Sequence, residues 1–113
     1  MMQVFHSDRF YQYMLDRSSL IGATMRRVAL INTVDPERAY MLTNSLQSLW
    51  TTYSEVHVVE EYKNVSVRST SVGDMLVEGS PGDPGSKHLV IEPIGFREMT
   101  REEICSITYA LPE

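Results

Sequence analysis

Arg68, Ser69, Thr70, Ser71 and Asp74 place a guanidinium, three hydroxyls and a carboxylate in one short stretch, Arg68-Ser69-Thr70-Ser71-Val72-Gly73-Asp74. Two chemistries fit those residue types. Hydroxyls beside a carboxylate could serve hydroxyl chemistry, and hydroxyls beside an arginine could hold a phosphate. The stretch has no Walker-type lysine and no nucleophile-elbow glycine pair. The structural reading is simpler. Hydroxyls and Asp74 would satisfy backbone groups where the chain bends into the apolar segment Met75-Leu76-Val77. Gly73 would adopt a backbone conformation poorly open to other residues. Val72 would point into the core, and Arg68 would pair with Asp74 or with Glu60. On this reading Asp74 contributes about one hydrogen bond, roughly 1 kcal/mol.

Other candidates are scattered. Thr43 and Asn44 have middling helix propensity for a helix centre. Thr43 can bond back to the carbonyl one turn earlier, while Asn44 falls on the solvated side. His6, His57, His88 and Cys105 show no CxxC or HxxxH spacing, so a metal site would need strands to bring His57 and His88 together. No metal or cofactor is expected. Cys105 reads as a small hydrophobe, not a nucleophile. No catalytic residue is assigned. The candidate binding residues are Arg68, Ser69, Ser71, Asp74, Asn44 and His88.

These residues must be positioned by a small set of elements. Gln3 to Phe5 reads as a short edge strand. Ser7-Asp8 offers a cap for a helix over Arg9 to Leu15, with Phe10, Tyr13 and Met14 at helical spacing. Arg17 to Gly22 is turn-like, and Met25 to Val34 reads as a buried strand. Asp35-Pro36-Glu37 is a helix start: a capping side chain, a proline at the first position and an acid at the positive end of the dipole. The helix is predicted to run to about Trp50, with Ala39, Leu42, Leu46 and Leu49 on its buried face. Val56 to Tyr62 and Val65 to Val67 read as strand, joined by Lys63-Asn64. Glu78 to Lys87, rich in Gly and Pro, is predicted to be a mobile surface loop between Met75–Val77 and Leu89–Ile91. Pro93 marks an edge or bend. Thr100 and Glu103 form a capping box for a helix over about Arg101 to Tyr109, with Ile104 and Ile107 inward. The expected fold class is α+β: residues 1–113 form one domain with a small, mostly antiparallel sheet, one principal amphipathic helix and short terminal helices.

The length of 113 residues suits one domain, and the composition is 42% hydrophobic and 22% charged. No apolar run approaches the ~20 residues that span a bilayer. The N-terminus lacks the pattern of a secretory signal, and a lone cysteine excludes an intrachain disulfide. Cytoplasm is the expected compartment. The net charge of −5 is uneven: residues 1–53 hold five Arg against four Asp/Glu, and residues 54–113 hold five Lys/Arg against eleven Asp/Glu. That balance disfavours phosphate backbones, and Arg26-Arg27 is a thin patch, so weak duplex-DNA binding is expected at best. It suits solubility and permits a basic protein partner.

The order of these pieces resembles a group of short uncharacterised proteins of phage, plasmid and bacterial genomes, the YodL-like family. The resemblance spans roughly Val28 to Glu98. It rests on Ala39-Tyr40-Met41-Leu42-Thr43-Asn44 with Trp50, on Arg68-Ser69-Thr70-Ser71-Val72-Gly73-Asp74, and on Gly95-Phe96. The Glu78–Lys87 stretch is longer than the family's usual turn, and the tail after Met99 looks like an extension. The resemblance implies a small α+β domain from a mobile element and brings no established activity. The expected function is a non-enzymatic protein-interaction module, a regulator or counter-defence factor binding a host protein, with the oligomeric state open and a homodimer included. The alternative is a small ligand-binding or enzymatic domain with its site around Arg68, Ser71, Asp74 and His88.

Overall fold

Met2–Ser7 forms the first strand, β1, and every side chain but Gln3 is buried. A strand buried on both faces belongs inside a sheet. In the computed structural model, which describes residues 1–44, 56–58 and 68–110, β1 is central. The sequence suggested an edge strand. Polar Gln3, His6 and Ser7 obscure its burial, and those groups find partners only in the folded chain. A short helix, α1 (Phe10–Tyr13), and a 3-10 turn (Arg17–Leu20) lead to strand β2, Thr24–Ile31. Ser7 Oγ accepts the Arg9 N–H, and Asp8 Oδ1 accepts from Thr24 N. These residues therefore brace the chain around α1 and do not cap a longer helix.

Strand β1 pairs antiparallel with β2. The register shifts beside Val4, so that Val4 faces Ala29 and Phe5 faces Arg27. The extra residue, Val28, is buried together with its neighbour Ala29, as a bulge permits and a regular strand forbids.

Asp35 caps helix α2 (Pro36–Thr43) as its sequence predicts: its carboxylate accepts from Glu37 N, with Pro36 in the first turn. The expected extension toward Trp50, with Leu46 and Leu49, lies outside the described residues. Ala39 and Thr43 are fully buried on α2, with Tyr40 and Leu42 partly buried. Thr43 can occupy the core because its hydroxyl donates to the Ala39 carbonyl at 2.8 Å, leaving no polar group unpaired.

Strand β3 (Val56–Val58) pairs with β2, while β4 (Met75–Glu78), β5 (Lys87–Ile91) and β6 (Phe96–Glu98) form an antiparallel meander. The remaining strand material expected up to Val67 lies outside the described residues. The sheet order is β3-β2-β1-β4-β5-β6. Pro93 marks the bend into β6, a strand its mixed composition did not announce.

Helix α3 (Arg101–Ser106) carries both bonds of the Thr100–Glu103 capping box. It ends before the expected Tyr109. Thr108–Tyr109 instead forms β7, parallel to Thr24–Met25 of β2. Thr108 N donates to Ala23 O at 3.0 Å and Ala110 N to Met25 O at 2.9 Å. A free stretch of β2 edge captured these backbone groups, and local propensity cannot report that. The fold is a small, mostly antiparallel α+β sheet with few short helices.

Two cores sit on the two faces of the sheet. One gathers Val4, Ile31, Leu76 and Ile91 under Ala39 of α2. The other gathers Phe5, Met25, Met75 and Val90 with Tyr13 of α1, Leu20 and Ile104 of α3. Val72 touches both, so it bridges the layers, half-buried, at the end of the sheet where α1 and α2 approach.

The 79–86 connection, predicted to be mobile, is closed by its own bonds: Ser80 N to Ser86 Oγ, Gly85 N to Asp83 Oδ1 and Gly82 N to His88 Nε2.

Gly73 has φ of +93°, and a Cβ built there would lie 2.8 Å from Tyr13 Cβ and 3.0 Å from the Phe10 carbonyl. Gly73→Ala should therefore destabilise by about 2 kcal/mol or more, through backbone strain and displacement of α1. Urea unfolding of the two proteins measures this, and an unchanged midpoint would contradict it.

Candidate functional site

Asp74 sits between the Gly73 bend and β4, and its side chain is 0% exposed. A buried carboxylate is costly unless its acceptor sites are filled. Here Arg68 Nη1 donates to Oδ2 at 2.6 Å and Nη2 donates to Oδ1 at 2.8 Å, a two-pronged pair. The Ser7 and Ser71 amides donate to Oδ1 and Oδ2, each at 2.8 Å. One carboxylate thus joins the end of β1 to the start of β4. The expectation that Asp74 bonds amides or Arg68 understated it: both occur together, so the residue is worth more than a single hydrogen bond.

Arg68 also donates to the carbonyls of Ser69 at 3.0 Å and Ser7 at 3.3 Å. Its guanidinium lies 3.6 Å from the centroid of the Phe10 ring, so the same group fixes the start of α1. Ser69 contributes its carbonyl, which also accepts from Ser71 Oγ at 3.2 Å.

Thr70 is fully buried beside this pair. Its N–H donates to the Thr43 carbonyl at 2.9 Å, and its carbonyl accepts from Asn44 Nδ2. The predicted site residue Asn44 is therefore the clamp that ties the C-terminus of α2 to the signature loop. Thr70 Oγ1 lies 2.9 Å from His6 Nε2, and His6 Nε2 lies 4.0 Å from Asp74 Oδ2. Sequence reasoning missed His6, Ser7 and Phe10 as members of this cluster. They stand far from Arg68 in the chain, and the only signal was two polar residues inside the apolar β1 run.

Arg68, Ser69, Ser71, Asp74 and Asn44 come together; His88 does not. His88 alternates with Val90 and so faces the opposite core, near Met99 and Ile104. The Gly82 N–H donates to its Nε2, which leaves Nδ1–H to donate to the Ser86 carbonyl at 2.9 Å. His88 pins the 79–86 connection. His57 is on β3, separated from β5 by three strands, so the sheet does not place the two positions side by side. Among the described residues no group of three His, Cys, Asp or Glu side chains could hold a metal ion. Cys105 is exposed rather than core.

The polar cluster supports a neighbouring surface. Phe10, Tyr11, Met14, Tyr40, Asn44, Ser71 and Val72 line an open, largely apolar cleft of about 300 Å³ between α1 and α2. Of its lining, Tyr11 is 64% exposed and Met14 66%; next to lining residues in the chain, Leu15 is 92% exposed and Met41 64%. The far side of α1 is held by a second network. Arg97 makes a two-pronged pair with Glu103 at 2.9 and 2.8 Å and donates to Tyr13 Oη at 3.0 Å. That pairing holds the Glu103 carboxyl below its ordinary range, while burial pushes the Tyr13 phenol up.

No family model, curated protein or solved structure matches the chain. Among the described residues no helix is long and apolar enough to cross a membrane.

Two outcomes follow. Asp74→Ala should cost about 3 kcal/mol, because it orphans two amides and the Arg68 charge. Asp74→Asn should cost nearly as much, since an amide NH₂ would face donors. Thermal melts check both, and a loss below about 1 kcal/mol in each would break the account.

The His6 imidazole is lowered from 6.5 to about 4, chiefly by burial, with Asp74 opposing and Arg68 reinforcing the shift. The unfolded chain therefore takes up this proton first as pH falls. The stability linked to neutral His6 is present above pH 6.5 and is lost progressively as pH falls through about 4. The loss should amount to about 3 kcal/mol. His6→Gln should show a correspondingly flatter decline in denaturant midpoint between pH 6.5 and 4.5 than the parent, and parallel declines would acquit His6.

Proposed function

We propose that this chain is a non-enzymatic protein-interaction module of a phage or other mobile element, acting on a host protein as a regulator or counter-defence inhibitor. The observation that carries the reading is the cleft between α1 and α2, with Tyr11 and Met14 exposed in its lining and Leu15 and Met41 exposed one residue beyond lining residues Met14 and Tyr40. Large apolar side chains gathered at one concave place, on a frame held by buried ion pairs, are the features of a docking surface. The polar groups beneath it support the same reading. The Asp74 carboxylate is occupied by four donors, and the Thr70 hydroxyl is buried against His6. They are arranged to hold the surface in shape. The resemblance to short mobile-element proteins and the acidic balance of the chain support a protein partner over nucleic acid.

Met14→Glu should leave stability within about 0.5 kcal/mol, because the side chain is solvent-facing, and should abolish copurification of a host protein. A photo-crosslinking residue at Met41 should trap that protein, whereas one at the exposed Arg101 of α3 should not. Equal trapping from both positions, or full copurification by Met14→Glu, would count against this surface.

A further inference from the structure

We infer that the 79–86 connection is a strap held shut by an uncharged His88, and that protonation of this ring releases it to uncover a second cleft beside α3. The strap is bonded mainly to itself. Asp83 N donates to Ser80 O at 3.1 Å and Ser86 N to Asp83 O at 2.9 Å. Ser80 N donates to Ser86 Oγ at 2.8 Å and Gly85 N to Asp83 Oδ1 at 2.9 Å. These bonds stay inside the connection, so it can move as one piece. Gln3 Nε2 holds its stem, at Gly79 O. Among the described residues, the hydrogen bond that ties its tip, residues 80–84, to the sheet runs from Gly82 N–H to His88 Nε2 at 3.1 Å.

That bond admits one state of the ring. A backbone N–H only donates, so Nε2 must present a lone pair while Nδ1–H donates to Ser86 O. A second proton would set Nε2–H against the Gly82 N–H. His88 is 2% exposed, so water cannot solvate the charged ring while the strap is shut. Imidazole changes charge nearer neutral pH than other side chains. The neighbouring titratable groups leave the latch to His88. Lys87 and Glu98 line the same cleft, but alternation turns their side chains to the other face of the sheet. Asp83 is engaged by Gly85 N, and Glu103 of α3 by Arg97. Tyr109 of β7 packs its ring edge against Gly82. The strap covers something worth uncovering. Pro84, Gly85 and Ser86 wall a cleft of about 370 Å³ with His88, Met99 and Ile104. Met99 is 7% exposed and Ile104 5%, so moving the strap aside bares two apolar side chains beside a cationic ring. This cleft shares no lining residue with the one between α1 and α2.

The test titrates the full ¹⁵N,¹³C-labelled chain from about pH 8 to about pH 5 by NMR. The His88 ring nitrogens and the Gly82 amide should change with one midpoint, as Nε2 turns from acceptor to donor. Exchange of the Gly82 amide, corrected for its intrinsic pH dependence, should quicken about tenfold or more on the acid side. The amides of Val4, Leu76 and Val90 should keep their protection. A soluble paramagnetic agent should broaden the Met99 and Ile104 methyls on the acid side alone. His88→Gln offers Gly82 an amide oxygen that accepts at every pH, so its strap should stay shut throughout. A ring whose Nε2 stays unprotonated until the strands themselves lose protection would overturn the latch. So would a ring that titrates while the Gly82 amide or the two methyls stay unchanged. The parent's response retained in His88→Gln would assign it to another group. Ring and amide midpoints in the parent decide the matter even where that variant does not fold.

Discussion

The carboxylate of Asp74 is the constraint on which the organisation of this molecule turns. A carboxylate removed from water destabilises a fold by several kcal/mol unless donors replace its hydration. Four donors do so here, from Arg68, Ser7 and Ser71. They come from two pieces of chain about sixty residues apart, the end of β1 and the signature loop, so they meet only when β1 and β4 are paired and that loop is folded. The cost of leaving Asp74 unpaired is what makes partial formation of this corner unfavourable. A polar cluster of this kind opposes alternative packings more than it adds net stability.

Everything at that end of the sheet is placed from this corner. Arg68 reaches from Asp74 to the face of Phe10 and so sets the start of α1. Thr70 reaches from His6 to Thr43 and Asn44 and so sets the end of α2. Gly73 lets Tyr13 and Phe10 come close against the bend. The two helices lie on opposite faces of the sheet, yet they meet across Val72, and the apolar cleft is the space between them. Its shape follows from buried polar bonding rather than from contact between the helices.

The opposite end of α1 has its own anchor in Tyr13, Arg97 and Glu103. That network is less complete. Among the described residues, Arg97 Nε and Glu92 Oε2 are buried without a hydrogen-bond partner. Arg97 and Glu103 are one-quarter and one-tenth exposed at their side chains, whereas Asp74 is fully enclosed. The firmer of the two anchors is therefore the one beneath the signature loop.

At α2 and α3, where a local capping interaction decided the start of a helix, the sequence alone determined the outcome. Asp35-Pro36-Glu37 starts α2, and Thr100 with Glu103 starts α3, because a capping side chain reaches only two or three residues. Gly73 was legible as a bend because a positive φ excludes side chains at that position alone. Pairing of Arg68 with Asp74 was legible because the two are close in the chain. What only the tertiary structure decided depends on partners distant in sequence. Strand β1 is central because β4 arrives beside it. Tyr109 leaves the expected helix because the edge of β2 offers backbone partners. His6 by its ring and Ser7 by its backbone N–H join Asp74, and His88 leaves it for the other face, because successive side chains face opposite sides of a sheet whose strand order no local pattern encodes.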